Sequence, residues 1–184
     1  MSQKAPSPRD FRTVMGQFPT GVAVVATAHE GGRYGMTINS LTSISLDPML
    51  VMVSLVRGSM TGNMILARGA FTINLIGEHQ EELSRRFVAK IADRFAGVPL
   101  RARGDDLPVI AGTSGYLVCR LFQVDEVGDH TVIYGEVAEC GEGDHAPLVY
   151  FDGSYGRVTS WQKLRDATIE ELEADVHRRS HGWG

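Results

Sequence analysis

The sequence predicts a mainly β fold with peripheral helices, closed as a barrel rather than laid out as a doubly wound sheet. Apolar runs of strand length outnumber helical patterns. The strands do not alternate with helices as βαβ units require. Two glycine-centred turns, at Gly31-Gly32 and Gly128-Asp129, sit where hairpins would close.

Each element has a local reason. Residues 7–18 read as a helix: Ser7 is a good N-cap, Pro8 suits the first helical position, and Asp10 meets the helix dipole. Phe11, Val14, Met15 and Phe18 place one apolar face on it, and Pro19 ends it. Residues 22–27 form a buried strand that returns over 34–39. Residues 49–56 are a near-continuous apolar strand with Pro48 at the entrance. A short helix over 61–68 and a strand over 70–76 follow. Residues 78–90 carry Glu81/Arg85 and Glu82/Arg86 at i, i+4, with Leu83 and Phe87 on the opposite face. Residues 92–113 are expected as a long loop, broken by Gly97, Pro99, Gly104 and Pro108. A hairpin over 116–124 and 131–137, a short strand over 148–151 and a charged terminal helix over 162–179 complete the chain. The expected organisation is one domain over 1–160 and a charged tail over 161–184.

The bulk composition narrows the function. A length of 184 residues, 43% of them hydrophobic and 22% charged, suits one globular domain with a real core. A net charge of −4 gives no reason to expect nucleic acid or an anionic membrane as partner. No apolar run approaches the ~20 residues that span a bilayer, and MSQKAPSPRD lacks a signal-peptide core. With only Cys119 and Cys140, a reduced cytoplasmic protein without a metal site is expected. His177 and His181 lie at i, i+4 but have no third ligand nearby. Asp105-Asp106 reads as an exposed loop pair.

The chemistry-bearing stretch is GMTINSLTSISLDP, residues 35–48. Thr37, Asn39, Ser40, Thr42, Ser43 and Ser45 crowd small hydroxyls and an amide between two apolar strands. Such side chains bond a ligand's polar rim with little rotamer entropy to lose. The plainer reading is a Ser/Thr-rich edge strand or turn. A second patch, Arg57-Gly58-Ser59-Met60-Thr61-Gly62-Asn63, opens a helix whose free N–H groups suit phosphate. Its plainer reading is N-capping by Ser59 or Thr61. Neither a GKS/GKT ending nor a strand followed by GxGxxG is present, so P-loop and Rossmann sites are unsupported.

Taken in order, FRTVMGQFPTGVAVVAT, GMTINSLTSISLDPMLVMVSL, SMTGNMILARGAFTINLI, LSRRF, DRFAGV, GDHTVIYGEVAEC and PLVYFDGSYG resemble the flavin reductase family of two-component monooxygenases. The likeness is collinear over about residues 9 to 160; the tail beyond Trp161 is longer and more charged than the family core requires. The resemblance implies an FMN-binding split β-barrel, Greek-key-like, and usually a homodimer. It implies NADH or NADPH as hydride donor, with FAD or riboflavin open as alternatives to FMN. Reduced flavin would go to a partner flavin-dependent oxygenase. Thr37, Asn39, Ser40 and Ser43 would line the flavin, and the backbone at Ser54 and Leu55 would pass its ring edge. Ser59, Thr61 and Asn63 would approach the ribityl-phosphate end. Phe87 would lie near the cofactor, with Arg86 a candidate for its phosphate. His130 and Tyr155 would position the nicotinamide. Because the cofactors carry the hydride chemistry, the protein needs to stack the rings and stabilise developing charge, with no obligatory general base. A non-catalytic FMN carrier, or an oxidoreductase with another electron acceptor, are the competing readings on the same fold.

Overall fold

The structure, a computed structural model, describes residues 5–159. The helix expected over 162–179, with His177 and His181, lies outside the described residues. Helix α1 (Pro8–Gly16) starts at Ser7 through a reciprocal capping box with Asp10. That bonding holds the Asp10 carboxyl below the usual range. The helix buries none of its residues, so its apolar face has no partner within the described chain.

The strands are β1 (Thr20–Gly21), β2 (Ala23–His29), β3 (Gly32–Ile38), β4 (Thr42–Leu46), β5 (Met49–Val56), β6 (Ala70–Leu75), β7 (Gly115–Val127), β8 (His130–Glu142), β9 (Leu148–Phe151) and β10 (Ser154–Arg157). Helices α2 (Met60–Arg68) and α3 (Glu81–Val88) interrupt them. A seven-stranded sheet runs β3-β2-β6-β7-β8-β5-β4, and a three-stranded sheet runs β1-β9-β10. Every strand pairing in both sheets is antiparallel. Strands β5 to β8 take the order 5-8-7-6, a Greek-key arrangement.

The large sheet wraps around one apolar cluster to which β2, β3, β5, β6, β7, β8 and α2 all contribute, including Val25, Ile38, Val53, Ile65, Phe71, Cys119 and Ile133. Burial of Cys119 pushes its thiol up to about 12, which leaves it an inert apolar filler. A second cluster lies between the sheets and α3: Val22, Val24, Ile76, Phe87, Phe95, Ile110 and Leu148. At Gly135 on β8, any Cβ would stand 2.5 Å from the Phe71 ring and 2.8 Å from Cys119 Cβ. Glycine is therefore what lets the wall close on the core.

Strand β4 is the Ser/Thr-rich edge strand of the plainer reading, at one end of the large sheet; β1 and β10 are short and were not expected, and they exist only because β9 pairs with both. The β7–β8 hairpin runs beyond the expected 116–124 and 131–137, to Val127 and Glu142, with ladder pairing along its length. Of the two i, i+4 pairs expected on α3, Arg85–Glu81 forms at 2.7 Å. The 92–113 loop is irregular but tightly held. Buried Asn74 on β6 donates to Val24 O (3.2 Å) and Pro108 O (3.3 Å) and accepts from Ile110 N (2.7 Å).

Arg103 clamps the same loop to β8. It bonds both Asp105 oxygens (2.9 and 2.8 Å) and both Glu139 oxygens (2.9 and 2.8 Å). Those bonds hold both carboxyls below their ordinary values. A carboxyl depressed in the folded state contributes stability above its unfolded pKa and loses it as pH falls through the folded one. Thermal stability should therefore be flat above about pH 5 and fall progressively below about pH 4. Arg103→Gln should flatten that fall in a melting series from pH 6 to pH 3; an unchanged acid limb would show the clamp carries none of it.

Candidate functional site

Between α1, the start of β2 and the ends of β3 and β5 lies a cleft of about 1160 Å³. Its floor is apolar, with Val22, Ala23, Ile38, Leu41 and Leu75, and its rim carries Asn39, Ser40, Thr42, Ser54, Ser114 and His130. Arg12 is the only lysine or arginine in the lining among the described residues. A second cleft of about 290 Å³ adjoins it, lined by Thr37, Arg85, Val88 and Tyr155. The two share Val22, Ile38, Asn39, Tyr150 and Gly153.

The seam between β3 and β5 is built by one hydroxyl. Strand β4 covers β5 only as far as Met52, where it pairs with Thr42. Beyond that point the outward N–H and C=O of Ser54 need another partner. Ser40 Oγ supplies both bonds, donating to Ser54 O (2.9 Å) and accepting from Ser54 N (3.0 Å). Ser54 thus presents its side chain to the cleft while its backbone is satisfied.

The opposite end of the rim is the tip of the β7–β8 hairpin. Gly128 takes positive φ (58°) there, as the tight turn requires. Arg57 donates from its guanidinium to Gly128 O (2.6 Å) and from its backbone to Asp129 O (3.0 Å), and pairs with Glu126. His130 Nδ1 lies 2.7 Å from Asp129 Oδ1, a contact that keeps the Asp129 carboxyl below its usual range. The imidazole is therefore oriented before any ligand arrives.

In the smaller cleft, Thr37 Oγ1 donates to Ser84 O (2.7 Å), and Ser84 Oγ bonds the Tyr155 hydroxyl (2.8 Å). Arg85 lies over the Tyr155 ring at 4.9 Å, and Tyr150 meets it edge-on at 5.4 Å.

Asn39, Ser40, Ser54 and His130 meet around the large cleft, and Thr37, Asn39 and Tyr155 around the small one. Seven other expected site residues line neither. Ser43 is exposed on β4, and the Leu55 side chain is core. Ser59 caps α2 by accepting from Gly62 N (3.3 Å), Thr61 is buried in its first turn, and Asn63 is exposed there. Arg86 is half-buried on α3. Phe87 is fully buried edge-to-face with Phe95, against Gly35.

The sequence reading passed over Arg12, Thr20, Ser84, Arg85 and Tyr150. Ser84 carried one usable signal, a small polar residue on the Leu83/Phe87 face of its helix. Arg85 was accounted for by its Glu81 pair.

An apolar floor with a rim of hydroxyls, an amide and an imidazole fits a flat heteroaromatic ring with polar edges. Thr20 Oγ1, in the wall of the large cleft, is buried and has no hydrogen-bond partner among the described residues. An orphaned polar atom in that position is one a bound polar ligand or its water would satisfy.

Residues 15–159 match the family model for the flavin reductase like domain. The chain is 36% identical over 170 residues to the flavin-dependent monooxygenase reductase subunit HsaB of Mycobacterium tuberculosis, covering 91% of each. It is 36% identical over 151 residues to the FMN reductase (NADH) SmoA of Agrobacterium fabrum, covering 82% of this chain and 86% of that one. The solved Streptomyces globisporus NADH:FAD oxidoreductase SgcE6, in complex with NAD and FAD fragments, superposes with a TM-score of 0.79 at 30% identity, over 86% of this chain and 99% of that one. With the family model spanning nearly all of the described residues, the chain belongs to the flavin reductase family.

Proposed function

We propose that this enzyme reduces FMN with NADH or NADPH and supplies the reduced flavin to a separate flavin-dependent oxygenase. One observation carries this reading: two clefts of unequal size share a wall, so two flat ligands can lie against each other. Once bound, the two cofactors supply the hydride chemistry. The chain's residues position them. Ser40 and Ser54, with Asn39, form the polar edge of the flavin cleft over the apolar floor. Ser59, Thr61 and Asn63 are assigned to the phosphate end through the resemblance and the free N–H groups opening α2. Ser43, Leu55, Arg86 and Phe87 are assigned to the cofactor through the resemblance alone; Leu55 and Phe87 are fully buried in the two apolar clusters. The smaller cleft takes the donor, with Tyr155, held by Ser84, in its lining; His130, held by Asp129, stands on the rim of the larger cleft, where a nicotinamide stacked on the flavin would meet it. Cys119 and Cys140 are free thiols, in keeping with a reducing cytoplasmic setting.

The working unit in this reading is a homodimer. Phe11, Val14 and Met15 on α1 and Phe18 just beyond it are 63%, 69%, 49% and 65% exposed, an apolar face that a second copy would cover. Val14 lines neither cleft, so Val14→Asp should halve the mass seen by light scattering without touching a flavin contact. An unchanged dimer would move the interface elsewhere; a monomeric wild type would remove it.

The decisive assay follows NADH absorbance in the presence of free FMN. Steady oxidation with FMN supports the reductase. FMN binding without NADH oxidation would make the protein a carrier, and oxidation only with another acceptor would make it a different oxidoreductase. His130→Ala should raise KM for NADH several-fold while leaving the FMN Kd nearly unchanged. Wild-type kinetics in that variant would reduce His130 to a hairpin residue.

A further inference from the structure

We infer that Ser84 is a positioning residue for the hydride-donor cleft, fixing Tyr155 and Thr37 through two different atoms of one residue. The inference rests on the reading of the smaller cleft as the donor's site.

Three elements that are far apart in sequence converge on Ser84. Thr37 comes from β3 of the large sheet, Tyr155 from β10 of the small sheet, and Ser84 from α3 between them. Ser84 is fully buried, so neither of its bonds is replaced easily by solvent. Its carbonyl accepts from Thr37 Oγ1 at 2.7 Å. Its hydroxyl meets the Tyr155 hydroxyl at 2.8 Å. The bond reaches the far end of the tyrosine, where one contact sets the tilt of the whole ring. Arg85 on one face and Tyr150 at the edge then close the remaining freedom.

Serine suits the position sterically as well as chemically. Alanine would keep the helix and the Thr37 bond, since that bond uses the backbone carbonyl. It would lose only the tie to Tyr155. Tyr155 would then lie on β10 with no partner for its hydroxyl among the described residues, in the sheet joined to the barrel chiefly through backbone bonds at Val22, Ile76 and Leu148. A donor ring stacked against it would be held at a less defined distance, and near-attack geometry is sensitive to small displacements.

The test is a double-mutant cycle on Ser84→Ala and Tyr155→Phe, which break the same bond from either side, with Tyr155→Ala as a reference. Each single variant should raise KM for NADH roughly two- to tenfold, the range of one net hydrogen bond. The double variant should be no worse than either single one, and FMN Kd should stay within about twofold. The melting temperature is recorded for each, and Tyr155→Phe, at a half-buried site, keeps the test open if Ser84→Ala folds poorly. Additive effects, or equal losses for NADH and FMN, would overturn the proposal. If Tyr155→Ala raises KM but neither bond-breaking variant does, positioning by Ser84 fails while the donor cleft stands. If Tyr155→Ala itself leaves KM unchanged, the donor cleft is misassigned and the proposal falls with it.

Discussion

Asn74→Ala should destabilise the protein by about 3 kcal/mol or more in urea unfolding, the largest stability loss expected from any single polar substitution here. Asn74 is fully buried on β6, and its amide links three segments. It accepts from Ile110 N at 2.7 Å and donates to Val24 O, Pro108 O and Thr72 Oγ1. Alanine leaves the Ile110 N–H without a partner in a dry site, and an unsatisfied buried donor costs about 1–3 kcal/mol alone. Val24 O loses a bond at the same time, and the missing amide leaves a small void. Pro108 O keeps its bond from Thr72 Oγ1 (2.6 Å), which limits the damage to the loop. Because the same loop places Ile110 in the core between the sheets, proteolysis within 92–113 should quicken as well. A loss under about 1 kcal/mol would show that water enters and satisfies these groups.

Ser40→Ala should weaken flavin binding by about tenfold, and it should do so equally for FMN and riboflavin. The Ser40 hydroxyl joins β3's exit to β5 at this level, through both backbone groups of Ser54. Without it, water competes for the Ser54 edge and the Ser54 side chain loses its fixed position in the cleft. The loss sits on the ring side, so the phosphate should not matter. Ser59→Ala with Thr61→Ala gives the contrast: if α2's start holds phosphate, that pair weakens FMN far more than riboflavin. Fluorescence quenching titrations with both flavins separate the cases. Unchanged FMN affinity in Ser40→Ala would remove the seam from the flavin site, and a selective FMN loss would place it at the phosphate.

The two expected results fall on residues of opposite legibility. Ser40 stood out in the sequence because hydroxyls and an amide crowd between two apolar strands. Its bond to Ser54 did not stand out, because it depends on β4 leaving β5 after Met52. Asn74 gave no signal at all. A lone amide inside a strand reads as an ordinary polar residue, and its backbone partners lie 34 to 50 residues away. Ser84 is the same case on a helix, with Tyr155 71 residues distant. The apolar periodicity of α1 was legible, but it marked a face that the described chain leaves uncovered rather than a core contact.

By itself the sequence determined the local alphabet: where helices are capped, where strands run, where glycine turns close, and which stretch carries polar groups small enough to rim a ligand. These follow from periodicity, dihedral preference and side-chain chemistry acting over a few residues. Its collinear likeness to a family also determined the class of reaction. Only the tertiary structure decided which strands pair, because β2–β6 and β5–β8 contacts are chosen by shared burial and not by neighbouring sequence. It alone divided the site into two clefts with a common wall. It also set Leu55 and Phe87 in the core and brought Ser84 between Thr37 and Tyr155, since such convergence is settled by packing over the whole chain.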